Sequence, residues 1–308
     1  MGSVLLRAFS FALIICIGAF LRNKKIVGPD AGHTAQVLML NVTLPAAVIT
    51  NFASLDRMEL SMMVLPLLGA SLSFGIMLLM MAFLRNASRD DKISYCNVVP
   101  GTNIGNFCLP FVQYFFPAAG AVSLCLYDVG NTVFCLGGGH AAICAYAGGK
   151  TQEKFQLKKL LKTLFSSFPL DLYLALFVLS LLGIRPPMVL ADFAEPIADA
   201  NAFMAMMMLG LTFHVEAKLE YFKKIFCMLL TRYFVAAVVS LGVWFLLPMD
   251  VITREVVIII LFGPVNTVAG AYAAMADGDS GLVSCVTSLS ILCSMFTLTG
   301  LLLLFGAV

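Results

Sequence analysis

The chain has 308 residues, of which 61% are hydrophobic and only 12% are charged. Soluble domains carry roughly 45–50% apolar and about 25% charged residues, so this composition excludes an ordinary soluble domain. The net charge of +2 gives no indication of a nucleic-acid partner. The composition instead predicts an all-α membrane protein whose solvent is the lipid bilayer.

Apolar runs of about 20 residues, the length needed to cross a bilayer, recur along the whole chain. The first run carries Arg7 and lacks a small-residue cleavage signature, so we interpret it as a spanning helix rather than a signal peptide. The fifth run contains Gly137, Gly138 and Gly139, which can bend a helix or admit a close neighbour. Charged and turn-rich breaks predict ten transmembrane helices, near residues 3–21, 31–53, 60–84, 92–115, 118–146, 164–184, 191–213, 225–247, 252–275 and 280–306.

The basic residues are distributed unevenly between the two sides of these predicted helices. Fourteen of the nineteen Lys and Arg residues fall in the loops after the first, third, fifth and seventh helices. Positive residues favour cytoplasmic loops, so both termini are expected on the non-cytoplasmic side of the plasma membrane. Residues 148–163 form a predicted cytoplasmic connector, either a short amphipathic helix or a solvated linker.

The connector divides the chain into residues 1–147 and 164–308, each with five predicted helices. Because five is odd, the second half enters the membrane in the opposite sense from the first. This arrangement is the inverted-topology repeat that is common among secondary transporters. The first and sixth predicted helices begin about 160 residues apart, and this offset relates positions in the two halves.

The fourth predicted helix cannot be continuous. Its segment Asn97–Pro110 contains two prolines, two glycines and three asparagines. Proline removes a backbone donor and clashes with the preceding turn, and glycine adds backbone freedom. Adding the repeat offset to Pro100 leads to Gly263 and Pro264 in the ninth helix, which predicts a matching break there. Paired breaks in corresponding helices indicate a binding site at the membrane midplane, whereas two simple proline kinks are the alternative interpretation.

Polar residues at these breaks are the candidate substrate-binding residues. The amino ends of half-helices present unpaired N–H groups that attract anions. Asparagine side chains add hydrogen-bond donors and acceptors without a fixed charge. In the second helix, a polar segment interrupted by Pro45 either lines the same cavity or only bonds a neighbouring helix. The candidates are Asn103, Gly105, Asn106, Pro264, Asn266, Thr267 and, from the second helix, Asn41.

Asp128 lies well inside the fifth apolar run, and Asn131 follows it one helical turn later. Acids inside a membrane are costly and usually have a partner or a function. We therefore predict that these two residues couple transport to a proton or sodium ion, with a role in holding helices together as the alternative.

Other kinds of site are not indicated by the sequence. The nine cysteines and three histidines show no ligand spacing, so neither a metal, a cofactor nor a disulfide is predicted. The chain has no nucleotide-binding loop and no hydrolase motif, so we expect neither ATP-driven transport nor enzyme activity.

Several short motifs follow one another in an order that is typical of a known family. The segment Asn103–Pro110 is similar to the pattern N-x-G-[aromatic or aliphatic]-x-G-[LI]-P, with Asn106 and Cys108 as departures from it. Three more are Leu44-Pro45-Ala46, Leu209-Gly210-Leu211 and Gly263-Pro264. In these features the chain resembles the auxin efflux carrier family, which includes plant PIN-type carriers and many bacterial permeases.

This resemblance implies a scaffold domain of helices 1, 2, 6 and 7 and a transport domain of helices 3–5 and 8–10. Helices 4 and 9 would cross within the transport domain, which would move against the scaffold as a rigid body. The resemblance also implies secondary transport of a small organic anion such as a dicarboxylate, and a possible homodimer. The alternatives are a sodium-coupled carrier of the bile-acid symporter type, or a channel or sensor without a transport cycle.

Overall fold

A computed structural model describes residues 2–55, 57–147, 162, 164–213, 218 and 220–306. These residues form α-helices joined by short loops, with a single antiparallel backbone bridge between Thr102 and Val265. The predicted all-α fold is therefore confirmed. The predicted connector lies almost entirely outside the described residues.

The first half of the chain folds into nine α-helices within the described residues. Short π-helical turns at Met39–Thr43, Ile104–Cys108 and Phe134–Gly138 interrupt this series. Such turns are frequent at functional sites. The helices are α1 (Gly2–Asn23), α2 (Ala31–Leu38), α3 (Leu44–Ala53), α4 (Leu60–Met63), α5 (Leu65–Phe83), α6 (Arg89–Val98), α7 (Leu109–Phe115), α8 (Ala118–Val133) and α9 (Gly139–Ala147).

The second half contains fewer and longer helices. They are α10 (Phe168–Leu181), α11 (Met188–Thr212), α12 (Tyr221–Leu246), α13 (Val251–Leu261), α14 (Ala269–Met275) and α15 (Ser280–Phe305).

Six helical stretches among the described residues are long and apolar enough to cross a bilayer. Helix α10 is shorter, with 14 residues. Helix α11 carries Asp192, Glu195 and Asp199 along its length. The six stretches identify a multi-pass membrane protein, and they are Gly2–Asn23, Ala31–Ala53, Leu65–Phe83, Ala118–Ala147, Tyr221–Leu246 and Ser280–Phe305.

The interruptions predicted in the fourth and ninth apolar runs are present. Helix α6 ends at Val98, and helical structure resumes at Ile104. Helix α13 ends at Leu261, and α14 begins at Ala269. The fifth run also bends, because Gly137 adopts a φ of 139° that side chains with a Cβ rarely tolerate.

Glycine contacts bring two pairs of helices close together. A Cβ added to Gly18 of α1 would lie 2.7 Å from the Met207 carbonyl oxygen, and one on Gly210 of α11 would overlap the Ile15 carbonyl oxygen. Gly69 and Gly130 bring α5 and α8 together in the same way. Small residues let helix backbones approach in membranes, where van der Waals contact replaces the hydrophobic effect as the driving force.

The contact between α1 and α11 predicts that Gly210→Ala lowers the free energy of unfolding by about 1–3 kcal/mol, because the added methyl group forces the helices apart. Gly242→Ala is the matched control, since no atom lies within 4 Å of a Cβ added there. Thermal unfolding of the purified protein in detergent measures both variants. Equal unfolding temperatures for the two variants would contradict the close approach of the helices.

Candidate functional site

The two interrupted helices cross, and their backbones pair at the crossing. The Asn103 N–H donates to the Pro264 carbonyl at 2.9 Å, and the Asn266 N–H donates to the Gly101 carbonyl at 3.4 Å. We call residues 99–103 and 262–268 the crossing. Pairing of this kind satisfies backbone groups that neither helix can satisfy alone and that lipid cannot satisfy.

The guanidinium group of Arg232 on α12 lies against both backbone segments of the crossing. The residue is 2% exposed, and its two terminal nitrogens donate to five backbone carbonyls and one hydroxyl. The planar fork of guanidinium donors suits such divergent acceptors better than an ammonium group does. The acceptors are Val98 O (2.6 Å), Val99 O (2.9 Å), Gly101 O (3.1 Å), Gly263 O (2.7 Å), Pro264 O (3.2 Å) and Thr102 Oγ1 (3.2 Å).

These acceptors give Arg232 an electrostatic role as well as a geometric one. Val98 and Val99 lie at the carboxyl end of α6, and Gly263 follows the carboxyl end of α13. Unpaired carbonyls and the negative pole of the helix dipole collect at such ends. A single buried cation therefore compensates the negative poles of both half-helices.

Two serines of α15 satisfy further backbone groups of the second break. The Ser290 hydroxyl accepts from the Val265 N–H at 2.9 Å, and the Ser294 hydroxyl donates to the Phe262 carbonyl at 2.8 Å. The break is thus held by side chains from neighbouring helices, as buried irregular backbone in a membrane protein must be.

The first break is joined to α8 through Asn131. The Asn131 side chain is 3% exposed, and its Nδ2 group donates to the Thr102 carbonyl at 3.1 Å and to an Asp128 carboxylate oxygen at 3.0 Å. Its Oδ1 atom accepts from the Ser73 hydroxyl at 3.4 Å. Asn131 therefore bonds the backbone of the crossing directly, and Asp128 is connected to it through Asn131.

The candidates from the fourth predicted helix lie at the amino end of its second half. Asn103 immediately precedes the π-turn Ile104–Cys108, and no side chain caps that helical end. The Asn103 side chain is 5% exposed, and its Nδ2 group has no hydrogen-bond partner. Asn106 is also buried within the π-turn, and a Cβ added to Gly105 would lie 3.6 Å from an Asp128 carboxylate oxygen. A polar, uncapped helix start is thus placed next to the acid.

The candidates from the ninth predicted helix belong to the crossing itself. The Pro264 carbonyl is one of the paired groups, and the Asn266 side-chain oxygen accepts from the Val268 N–H at 3.1 Å. Thr267, the next residue, is partly buried. A cavity of about 20 Å³ lies beside Asn266 and is lined by Tyr272 among others. Such a cavity holds about one water molecule, so the conformation is closed here to a larger ligand.

Asn41 is the one candidate that the structure does not bring to the crossing. Its side chain is exposed, and its Nδ2 group donates to the Val37 carbonyl of the preceding turn at 2.8 Å. The neighbouring Thr43 faces inward instead and is buried. The polar residues of the second predicted helix indicated a polar contact with a neighbouring helix. Which of them makes that contact depends on how the helix is rotated about its axis.

Sequence reasoning missed the most highly connected residue of the site. Arg232 lies inside the eighth predicted helix and was not among the predicted site residues, although an intramembrane arginine is itself a signal of function. Asn201 of α11 was missed as well, because it is a single amide in a helix that contains several acids. Its side chain is fully buried and accepts a hydrogen bond from the Thr43 hydroxyl at 3.0 Å.

No group of three or more His, Cys, Asp or Glu side chains is placed to hold a metal ion within the described part of the chain. No protein-family model matches the chain, and no curated protein matches its sequence. The chain is a multi-pass, all-helical membrane protein with a polar crossing of two broken helices, and its function is inferred from that crossing.

The contacts of Arg232 predict that Arg232→Met lowers the free energy of unfolding by about 3 kcal/mol or more, because buried carbonyls lose their donors. Arg232→Lys keeps the charge but cannot reach both breaks, so its effect should be intermediate. Arg185→Met in an exposed loop is the matched control. Thermal unfolding of the purified variants measures the difference. Equal stability of Arg232→Met and Arg185→Met would contradict the anchoring role of Arg232.

Proposed function

We propose that the protein is a secondary-type transporter that moves a small organic anion, a carboxylate, by alternating access. The observation that carries this proposal is the position of Arg232, which neutralises the carboxyl ends of two half-helices at the crossing. The opposite pole, the uncapped helix start after Asn103, keeps its positive potential. This local excess of positive potential favours a negatively charged ligand.

The hydrogen-bond donors at this helix start also suit a carboxylate. Asn103 offers a buried Nδ2 group without a partner, and a buried donor left unpaired costs about 1–3 kcal/mol. A bound anion removes that cost. We therefore assign the substrate-binding role to Asn103, Gly105 and Asn106, with Asn266 and Thr267 lining the crossing from the other side.

We further propose ten membrane spans arranged as two inverted repeats of five, with the broken helices as the corresponding fourth and ninth spans. Helices α1–α3, α10 and α11 would form the scaffold, and the remaining helices the transport domain. Both termini would face away from the cytoplasm. The matching breaks near Pro100 and Pro264 support the repeat. The motif order described above supports membership of the auxin efflux carrier family.

The pattern of contacts supports the proposed division into two bodies. The bonds made by Arg232, Asn131 and Ser294 all join helices of the proposed transport domain. Contacts between the two groups include ring contacts, since Phe11 of α1 packs edge-on against Phe111 of α7 with ring centroids 5.0 Å apart, and the Arg7 guanidinium lies 3.7 Å from the centre of the Tyr114 ring. Ring contacts can slide with little loss of hydrogen bonding, whereas the crossing must move as a unit.

Asp128 supplies the coupling site within the same proposal. Its carboxylate lies beside Gly105 and therefore close to the proposed anion site. Two negative charges repel each other at this distance in a medium of low dielectric constant. We therefore propose that a proton or a sodium ion neutralises Asp128 when the substrate anion binds, which would couple the two movements.

The two leading alternatives differ in their requirements. A sodium-coupled carrier of the bile-acid symporter type would need sodium for uptake, whereas proton coupling would not. A channel or sensor would show no accelerated exchange when substrate is present on the far side of the membrane. Counterflow of radiolabelled acetate, benzoate, malonate or succinate in proteoliposomes, with and without sodium, separates these possibilities.

The proposed binding role predicts that Asn103→Leu or Asn266→Leu lowers carboxylate uptake into proteoliposomes at least about tenfold, because a donor to a charged group is lost. Unfolding temperatures should stay close to that of the unmodified protein. Asn51→Leu is the matched control, since the Asn51 side chain bonds only the Ala47 carbonyl of its own helix. Unchanged uptake in both the Asn103 and the Asn266 variant would contradict the proposed substrate-binding role.

The proposed coupling role predicts a different result for Asp128→Asn. The neutral amide mimics a neutralised carboxylate, so carboxylate exchange at equal concentrations should persist while accumulation driven by a proton or sodium gradient is lost. Both are measured in the same vesicles. A variant that still accumulates carboxylate in response to the gradient would show that the coupling ion binds elsewhere.

A further inference from the structure

The buried polar atoms without a hydrogen-bond partner among the described residues include the Nε atom of the Arg232 guanidinium group and three atoms of uncharged side chains at the crossing or on the helices packed beside it. These three are the Nδ2 atoms of Asn103 and Asn201 and the hydroxyl oxygen of Tyr173, which has only the Cys125 thiol, a weak acceptor, beside it. Buried polar groups in native proteins are nearly always satisfied, so each exception needs a physical explanation. All three atoms can donate a hydrogen bond, and none of the three side chains carries a charge.

Asn201 cannot satisfy itself by rotating its amide. Its Oδ1 atom accepts from the Thr43 hydroxyl at 3.0 Å, and its Nδ2 atom is left over. Exchanging the two atoms would let Nδ2 donate to that hydroxyl but would leave the oxygen unpaired instead. The Thr43–Asn201 pair therefore fixes the amide while leaving one polar atom free for a ligand.

The three residues lie on elements that pack against one another. Helix α11, which carries Asn201, contacts the π-turn Ile104–Cys108 that begins directly after Asn103. A Cβ added to Gly105 in that turn would lie 3.6 Å from the Tyr173 hydroxyl oxygen. Tyr173 of α10 thus approaches the uncapped helix start from the opposite helix group.

We infer, on the basis of the proposed carboxylate transport, that Asn201 and Tyr173 complete a binding subsite in which one substrate carboxylate bridges both helix groups. The carboxylate accepts from Asn103 on the transport side and from Asn201 and Tyr173 on the scaffold side. Two carboxylate oxygens offer about four acceptor positions, which is enough for three donors. Every donor is neutral, so the subsite selects a carboxylate by hydrogen bonding and does not require a cationic partner on the scaffold.

This geometry also gives the substrate a differential effect on the two conformations. A carboxylate that bridges both groups is held fully only while the groups are aligned, and it loses scaffold donors when they separate. A ligand shifts a conformational equilibrium only by such a difference in affinity. The scaffold donors are therefore positioned to affect both affinity and the rate of domain movement.

The test uses the full-length protein in proteoliposomes and the same four probes, acetate, benzoate, malonate and succinate. The double variant Thr43→Val/Asn201→Leu removes both members of the internal hydrogen bond, which is close to neutral for stability. The substrate concentration that gives half-maximal uptake by this variant should rise about 10- to 100-fold. Thr43→Val alone keeps the Asn201 amide as a donor but no longer fixes its orientation, so that concentration should rise only about two- to threefold.

Tyr173→Phe provides an independent measurement if the double variant fails to fold. It removes only a hydroxyl that has no hydrogen-bond partner, so the unfolding temperature should not fall while the half-maximal concentration rises about tenfold. Unchanged half-maximal concentrations in folded Tyr173→Phe protein and in the folded double variant would overturn the subsite. An equal rise in Thr43→Val alone would overturn it too, because packing would then explain the effect.

The unmodified protein separates this inference from the proposed function. If it transports none of the four carboxylates, the proposed function fails and the subsite fails with it. If it transports them and the Asn103 variant loses uptake while Tyr173→Phe and the double variant do not, only the scaffold subsite fails.

Discussion

The structure depends on how the backbone groups freed at two helix breaks are satisfied inside a membrane. Lipid offers these groups no hydrogen bonds, so an interrupted helix is stable only where protein supplies every partner. Here the two breaks satisfy part of each other's need by pairing, and Arg232 satisfies most of the remaining carbonyls from one side. Arg232 thus joins the two interrupted segments into one hydrogen-bonded unit, to which Asn131, Ser290 and Ser294 add further bonds.

The same contacts explain why the electrostatic potential differs between the carboxyl and amino ends of the half-helices. Arg232 lies at the carboxyl ends of α6 and α13, so the negative poles of the half-helices are compensated within the protein. The positive pole after Asn103 has no hydrogen-bonding cap, is left with an unpaired amide, and has the Asp128 carboxylate beside it, which the proposed coupling ion would neutralise. Burying a cation against carbonyls is costly, and the arrangement is understandable if the remaining positive pole binds an anion.

How much of this was visible in the sequence depends on whether the signal is local. The breaks were predictable because proline and glycine act on their own turn of helix, and the prolines of the two halves lie at matching positions. The role of Arg232 was not, since which carbonyls a guanidinium meets depends on α12 packing across both breaks. The same limit applies to helix rotation, which exposes Asn41 and buries Thr43 only two residues away.

Asn131 shows how the charge at Asp128 can reach the crossing. Its amide nitrogen carries two hydrogens, and it donates one to the Asp128 carboxylate and one to the Thr102 carbonyl, so Asn131 connects the acid directly to the backbone of the first break. Binding of a cation at Asp128 would lower the electrostatic repulsion felt by an anion that binds at this break. The cation and the anion would then each favour the binding of the other, which is what coupling between two ligands requires.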